Sequence, residues 1–159
     1  MNAFLVIIGS IIVGLLIALW AVKKFQIKTK VFGIPLQYVL DTALLLAAII
    51  LVIVVKTALG SKSKAIEQLL IKLRIMKSQN DINIVNDHIQ ENNDSISALN
   101  KQIAALQGSS DQAQIDALLR QKNEIEQELY DLNTQKQGHT DNKTSLEDRV
   151  AQMQKKLNG

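Results

Sequence analysis
Hydrophobic positions divide this chain into two runs that are apolar on every face and a longer remainder in which they recur at helical steps. The denser run, YVLDTALLLAAIILVIVVK from Tyr38 to Lys56, holds thirteen consecutive apolar residues between Ala43 and Val55. A small water-soluble domain has too little interior to hide such a helix, so lipid is the better solvent for it. The other run, Ala3 to Val22, offers about twenty uncharged residues, which matches ~30 Å of hydrocarbon at 1.5 Å per residue. Only Asn2 lies between Met1 and this run. The basic n-region of a cleaved signal peptide is therefore missing, and the apolar stretch is longer than a typical h-region. The pattern predicts a retained span over about 3–22, a second over about 38–56, and between them a loop, 23–37, short enough to make the spans antiparallel neighbours.

Within the spans, Ser10, Gly14 and Ala18 fall four residues apart, and Ala43 and Ala47 repeat that spacing. Small-residue stripes let helix backbones approach closely in lipid, so these five are candidate membrane-helix contacts. Trp20 and Tyr38 sit where interfacial aromatics belong. In the loop, Phe25, Ile27, Thr29 and Val31 alternate with Gln26, Lys28 and Lys30, the period of a short extended segment, before Gly33 and Pro35 break it. Asp41 is expected in the first turn of the second span. An intramembrane acid is a candidate ion or proton site, but near a helix N-terminus and within reach of Lys28 or Lys30 it reads first as an anchor.

Beyond Lys56 the pattern changes. Gly60, Ser61 and Ser63 read as a joint, with glycine ending one helix and serine capping the next. Ile66, Leu69, Leu70, Leu73 and Met76 then mark one buried face. From Ile82 the repeat becomes strict: Ile82, Val85, Ile89, Asn92, Ile96, Leu99, Ile103 and Leu106 alternate steps of three and four. With Ile82 at a, the a sites are all isoleucine and Asn92 falls among the d sites, a pattern suited to parallel pairing in which a buried Asn sets register at a cost in stability. Gly108, Ser109, Ser110 and Asp111 interrupt the repeat, which restarts out of phase as Ile115, Leu118, Lys122, Ile125, Leu129, Leu132 and Lys136. An antiparallel hairpin then competes with an intermolecular coil. Folding back would set Ile103 beside Ile115, Leu99 beside Leu118 or Leu119, Ile89 beside Leu129 and Val85 beside Leu132. One straight helix would reach roughly 140 Å, a hairpin arm of about 25 residues only about 38 Å. A second joint is expected at Gly138, with Thr144 and Glu147 as a capping box and Leu146, Val150, Met153 and Leu157 on one face of a last helix.

Composition sharpens this picture. The 159 residues are 47% apolar but only 4% aromatic, with one proline, too helix-biased for an ordinary mixed domain. Residues 1–80 carry ten Lys/Arg against two acids, and residues 81–159 carry eight against thirteen, so the halves differ at +8 and −5. Because the basic residues flank apolar runs and lack interleaved stacking aromatics, a nucleic-acid role is not expected. Lys23 and Lys24 favour a cytoplasmic loop, whereas Lys56, Lys62, Lys64, Lys72 and Arg74 favour a cytoplasmic tail. The balance tips to the tail, because Lys62, Lys64, Lys72, Arg74 and Lys77 are candidate contacts to anionic lipid head groups.

No cysteine is present, which excludes thiolate chemistry and Cys-based zinc sites. No Gly-rich phosphate loop, metal-ligand His pair or nucleophile elbow occurs. His88 and His139 read as solvated, as do Glu124, Glu126 and Glu128, so neither enzyme activity nor any cofactor or metal is expected. The chain reads as an all-α membrane protein: a two-span transmembrane helical hairpin (1–59), a membrane-proximal helix and first coiled-coil arm (60–107), and returning or continuing helices (108–159), the extramembrane part being a coiled coil or an antiparallel helical hairpin. The expected function is a membrane-anchored rod in a bacterial inner membrane or a viral membrane, with lipid, further copies of itself and a protein held on the coiled coil as partners. In architecture alone the arrangement resembles the small phage lysis proteins, holins and inner-membrane spanins, which implies membrane lysis or a virion membrane component as an alternative. It departs from spanins in having two spans and from holins in its longer tail. A small channel subunit rests on Asp41 alone.

Overall fold
The computed structural model describes residues 2–25, 27–31, 33–58, 64–107 and 111–158. Four helices dominate: α1 (Asn2–Lys24), α2 (Leu36–Ala58), α3 (Lys64–Leu106) and α4 (Gln112–Asn158), with a two-residue antiparallel bridge between β1 (Lys30–Val31) and β2 (Ile34–Pro35) in the first loop. The chain divides into two compact units, one of Met1–Ile84 with His139–Gly159 and one of Val85–Gly138.

Both apolar runs form helices slightly longer than the hydrophobic pattern alone predicts. Lys23 and Lys24 occupy the last turn of α1, where cations offset the negative end of the helix dipole. The return to α2 is ordered by backbone bonds. The Leu36 N–H donates to the Thr29 carbonyl at 2.9 Å, and Gly33 turns the chain at φ 78°, a conformation that a Cβ would strain. Pro35 ends the bridge directly before α2, where its missing N–H leaves no helical bond unmade. Because α2 begins at Leu36, Asp41 lies beyond the first turn, which holds no acid.

In the first unit α1 packs on α2, and the start of α3 runs back along α2. The Asn80 amide donates to the Tyr38 carbonyl at 3.1 Å and to Thr42 Oγ1 at 2.7 Å. The hydrophobic pattern predicts a helix that leaves the apolar pair, whereas α3 here doubles back over it. Two faces of α3 explain this. Ile71, Ser78 and Ile82 are buried along one stripe and Asn80 on another, so this segment has α2 on one side and α4 on the other.

The joint expected at Gly138 does not form, for α4 is continuous from Gln112 to Asn158. Lys136, His139, Lys143, Leu146, Val150 and Met153 are all half-buried or buried, at steps of three and four that continue the frame from Ile115 without a break. Directly after the glycine, the side chains of residues 139, 142 and 143 meet Asp81, Ser78 and Gln79 of α3. Thr144 Oγ1 accordingly bonds the Thr140 carbonyl at 3.1 Å, as a residue inside a helix does. The joint containing Gly60, Ser61 and Ser63 lies outside the described residues, as do Gly108, Ser109, Ser110 and the Leu157 side chain.

A glycine inside a helix costs about 0.5–1 kcal/mol relative to alanine, and a Cβ at Gly138 meets nothing within 4 Å. Gly138→Ala is therefore expected to stabilise the fold by about 0.5–1 kcal/mol in denaturant unfolding followed by helicity. A lower midpoint would mean that α4 bends there in solution.

Candidate functional site
Three surfaces carry the functional argument: the apolar faces of α1 and α2, a polar seam where α3 meets α2 and α4, and the paired stripes of the second unit. The first follows from where the apolar residues end up. On α1, Ile8, Leu19 and Val22 are buried and Ile12 and Leu15 half-buried, one stripe toward α2. Around the rest of the helix Val6 is 66%, Ile17 62% and Trp20 58% exposed. On α2, Leu46, Ile50 and Ile53 form an open stripe. Both helices are long and apolar enough to cross a membrane, and only 11% and 6% of their apolar windows are buried within the protein. A core helix of a soluble domain would be mostly covered. Of the small residues, Ser10 and Gly14 are exposed, turned from the stripe that meets α2, while Ala18, Ala43 and Ala47 are half-buried. Ser10 Oγ donates to the Val6 carbonyl of its own helix at 2.9 Å.

The polar seam centres on Asn80. Its two bonds to α2 satisfy a buried amide, and beside it Asp41, Leu44 and Leu45 face Met76, Gln79 and Asn83 across a shallow hollow. Asp41 is thus half-buried among amides. On the α4 side, Asn142 Nδ2 donates to Ser78 Oγ at 3.0 Å and Lys143 Nζ to Gln79 Oε1 at 2.8 Å. Asp81 Oδ2 accepts from Lys77 Nζ at 2.7 Å, and His139 Nδ1 approaches the same oxygen at 3.8 Å. None of Thr42, Ser78, Gln79, Asn80, Asn142 or Lys143 stands out as apolar, so the hydrophobic pattern alone misses them. The available signal is phase: stepping back from Ile82 by four, three and four gives Ser78, Ile75 and Ile71, the positions that are covered. Of the candidate head-group residues, Lys64, Lys72 and Arg74 are exposed, Lys77 is engaged by Asp81, and Lys62 lies outside the described residues.

Stripes of low exposure run the length of the second unit: Val85, Ile89, Asn92, Ile96, Leu99, Ile103 and Leu106 on α3, and Ile115, Leu118, Lys122, Ile125, Leu129, Leu132 and Lys136 on α4. Val85, Leu99 and Leu132 are buried outright, as is Ile82 in the first unit. The unit is a helical hairpin. Asp111 caps α4, its Oδ1 accepting from the Gln114 N–H at 3.2 Å. Taken in antiparallel order the stripes set Ile89 level with Leu132, Asn92 with Leu129, Leu99 with Lys122 and Ile103 with Leu118. The pairing reckoned from the tightest turn would instead set Ile89 beside Leu129 and Val85 beside Leu132.

Not every polar group in this hairpin is provided for. Buried atoms of Asp87 (Oδ2), His88 (Nε2) and Asn92 (Nδ2) lack partners. His88 is half-buried rather than solvated, since it follows the covered turn of α3. Glu124, Glu126 and Glu128 are exposed, with Glu126 3.6 Å from Lys122. No group of three or more His, Asp or Glu converges among the described residues. The arrangement can hold helices and apolar surface together. Comparisons with protein-family models, curated proteins and solved structures found no match to this chain.

A buried amide without a partner costs about 1–3 kcal/mol. Asn92→Leu is expected to raise the unfolding midpoint, while intrachain disulfide trapping between cysteines at 89 and 129 rises relative to 89 and 132 as register loosens. An unchanged or lowered midpoint would show that Asn92 has a partner in solution.

Proposed function
We propose that this chain is a non-enzymatic, membrane-anchored helical scaffold. In this reading α1 and α2 hold it in the bilayer, while the α3–α4 hairpin is a coiled coil that tethers a partner or another copy. The observation that carries it is the open apolar surface of α1 and α2, which only hydrocarbon or another apolar surface can cover. Two apolar helices whose single acid, Asp41, sits half-buried near the start of α2 suit anchoring, and a long hairpin with polar outer faces suits protein contact.

The reading sets a condition on α3. The Thr42–Asn80 bond fixes the antiparallel register, so Lys72 and Arg74 stand level with the middle of α2. At bilayer depth each costs about 2.5–3.5 kcal/mol, against about 1–3 kcal/mol for the two Asn80 bonds. Separation exposes no apolar face of α2 to water, since lipid takes the place of α3. The charges win: α3 parts from α2 when α2 enters the bilayer, and Lys64, Lys72 and Arg74 then lie at the head groups.

The absence of native cysteine makes a lock simple to install. Thr42→Cys with Asn80→Cys, oxidised before mixing with vesicles, is expected to leave the protein extractable by alkaline carbonate, and reductant to restore resistance. Equal resistance of the locked and reduced forms would refute the separation of α3. Cross-linking in membranes tests the scaffold role itself: it is expected to trap a second copy or a specific protein, and a strictly monomeric chain with no such product removes that role.

A further inference from the structure
At the turn between α1 and α2 the chain gathers positive charge and exposed aromatic surface in one place. Lys23 and Lys28 line a hollow with Val22, Ile27 and Gln37, where the end of α1, the loop and the start of α2 converge. Beside it Lys24 Nζ lies 4.5 Å from the centroid of the Trp20 ring and 5.9 Å from that of Phe25. Phe25 is 68% exposed, far more than a core phenylalanine.

No acid occurs before Asp41 in the sequence. Asp41 and Asp81 face other hollows: Asp41 looks toward Met76 and Asn83, and Asp81, already held by Lys77, lies with Ile34 and Ile84. Among the described residues Lys23 and Lys28 make no ion pair, so two cations and the Gln37 amide border a concavity that no acidic side chain lines. Gly33, the β1–β2 bridge and the Leu36–Thr29 bond hold that loop in shape.

From these features we infer that the hollow between Lys23 and Lys28 binds the phosphate-bearing head group of an anionic phospholipid, with Trp20, Phe25 and Ile27 seated among the neighbouring acyl chains. The inference rests on the membrane-anchor reading and adds a lipid preference to it. Charge complementarity selects an anion, and the exposed ring and aliphatic surface beside it selects one carried on a lipid. Lys24 belongs to the aromatic pair, stacked where cation–π attraction helps keep it at the interface.

Trp20 is the single tryptophan of the chain, so its fluorescence reports on this site alone. The full-length protein is placed in phosphatidylcholine vesicles containing a fixed fraction of phosphatidylglycerol, with the bromine quencher on the acyl chains of one lipid or the other. Quenching per mole of brominated lipid is expected to favour phosphatidylglycerol by about five-fold or more, and added salt to reduce the preference. Lys23→Gln with Lys28→Gln, which leaves Lys24 beside Trp20 untouched, is expected to abolish the preference at unchanged helicity. Equal quenching by the two lipids in the wild type would overturn the head-group site while leaving the anchor intact. Quenching by neither would overturn both. A preference that survives in the double variant would show that these lysines do not hold the head group.

Discussion
Uncovered apolar surface on α1 and α2 is the constraint from which the other features follow. The hydrophobic effect acts on area removed from water, at roughly 25 cal/mol per Å², and the helices' mutual contact removes little of theirs. The stripe through Ile8, Leu19 and Val22 is covered, while Val6, Ile17 and the Leu46–Ile50–Ile53 stripe remain open. Hydrocarbon removes that cost for every open side chain at once. A protein surface could do so only by being equally apolar.

Polar chemistry then decides where the remaining helices can be. α3 is amphipathic in two directions, with Ile71 3% exposed and Asn80 bonded to α2, yet it carries the exposed Lys72 and Arg74, which lipid would not accommodate at low cost. On its other side Ser78 and Gln79 bond to Asn142 and Lys143 of α4. α3 thus meets each of its two neighbours through polar side chains.

Much of this was legible in the sequence, for reasons specific to each segment. The two apolar helices and the Ile82–Leu106 frame stand out because every-face apolarity and a strict three-four step have few structural solutions. Gly138 misled because glycine is a local signal, while helix continuity there is set by the wider frame, in which Lys136, His139 and Lys143 occupy covered positions despite being polar. The return of α3 along α2 depends on one amide reaching a carbonyl and a hydroxyl about forty residues earlier in the chain, which no periodicity encodes. His88 was misjudged because its polar type hid its place in the turn between Val85 and Ile89, both of them covered.

Single cysteines placed in turn along α1 and α2 of this cysteine-free chain, spin-labelled and compared for access to oxygen and to a water-soluble nickel chelate in bilayers, measure directly what covers each face. Lipid contact predicts high oxygen access and little nickel access at residues 7, 13, 17, 46 and 53, with the Ile8–Leu19–Val22 stripe closed to both. High nickel access on the open faces, or closure of those faces to both reagents, would contradict it.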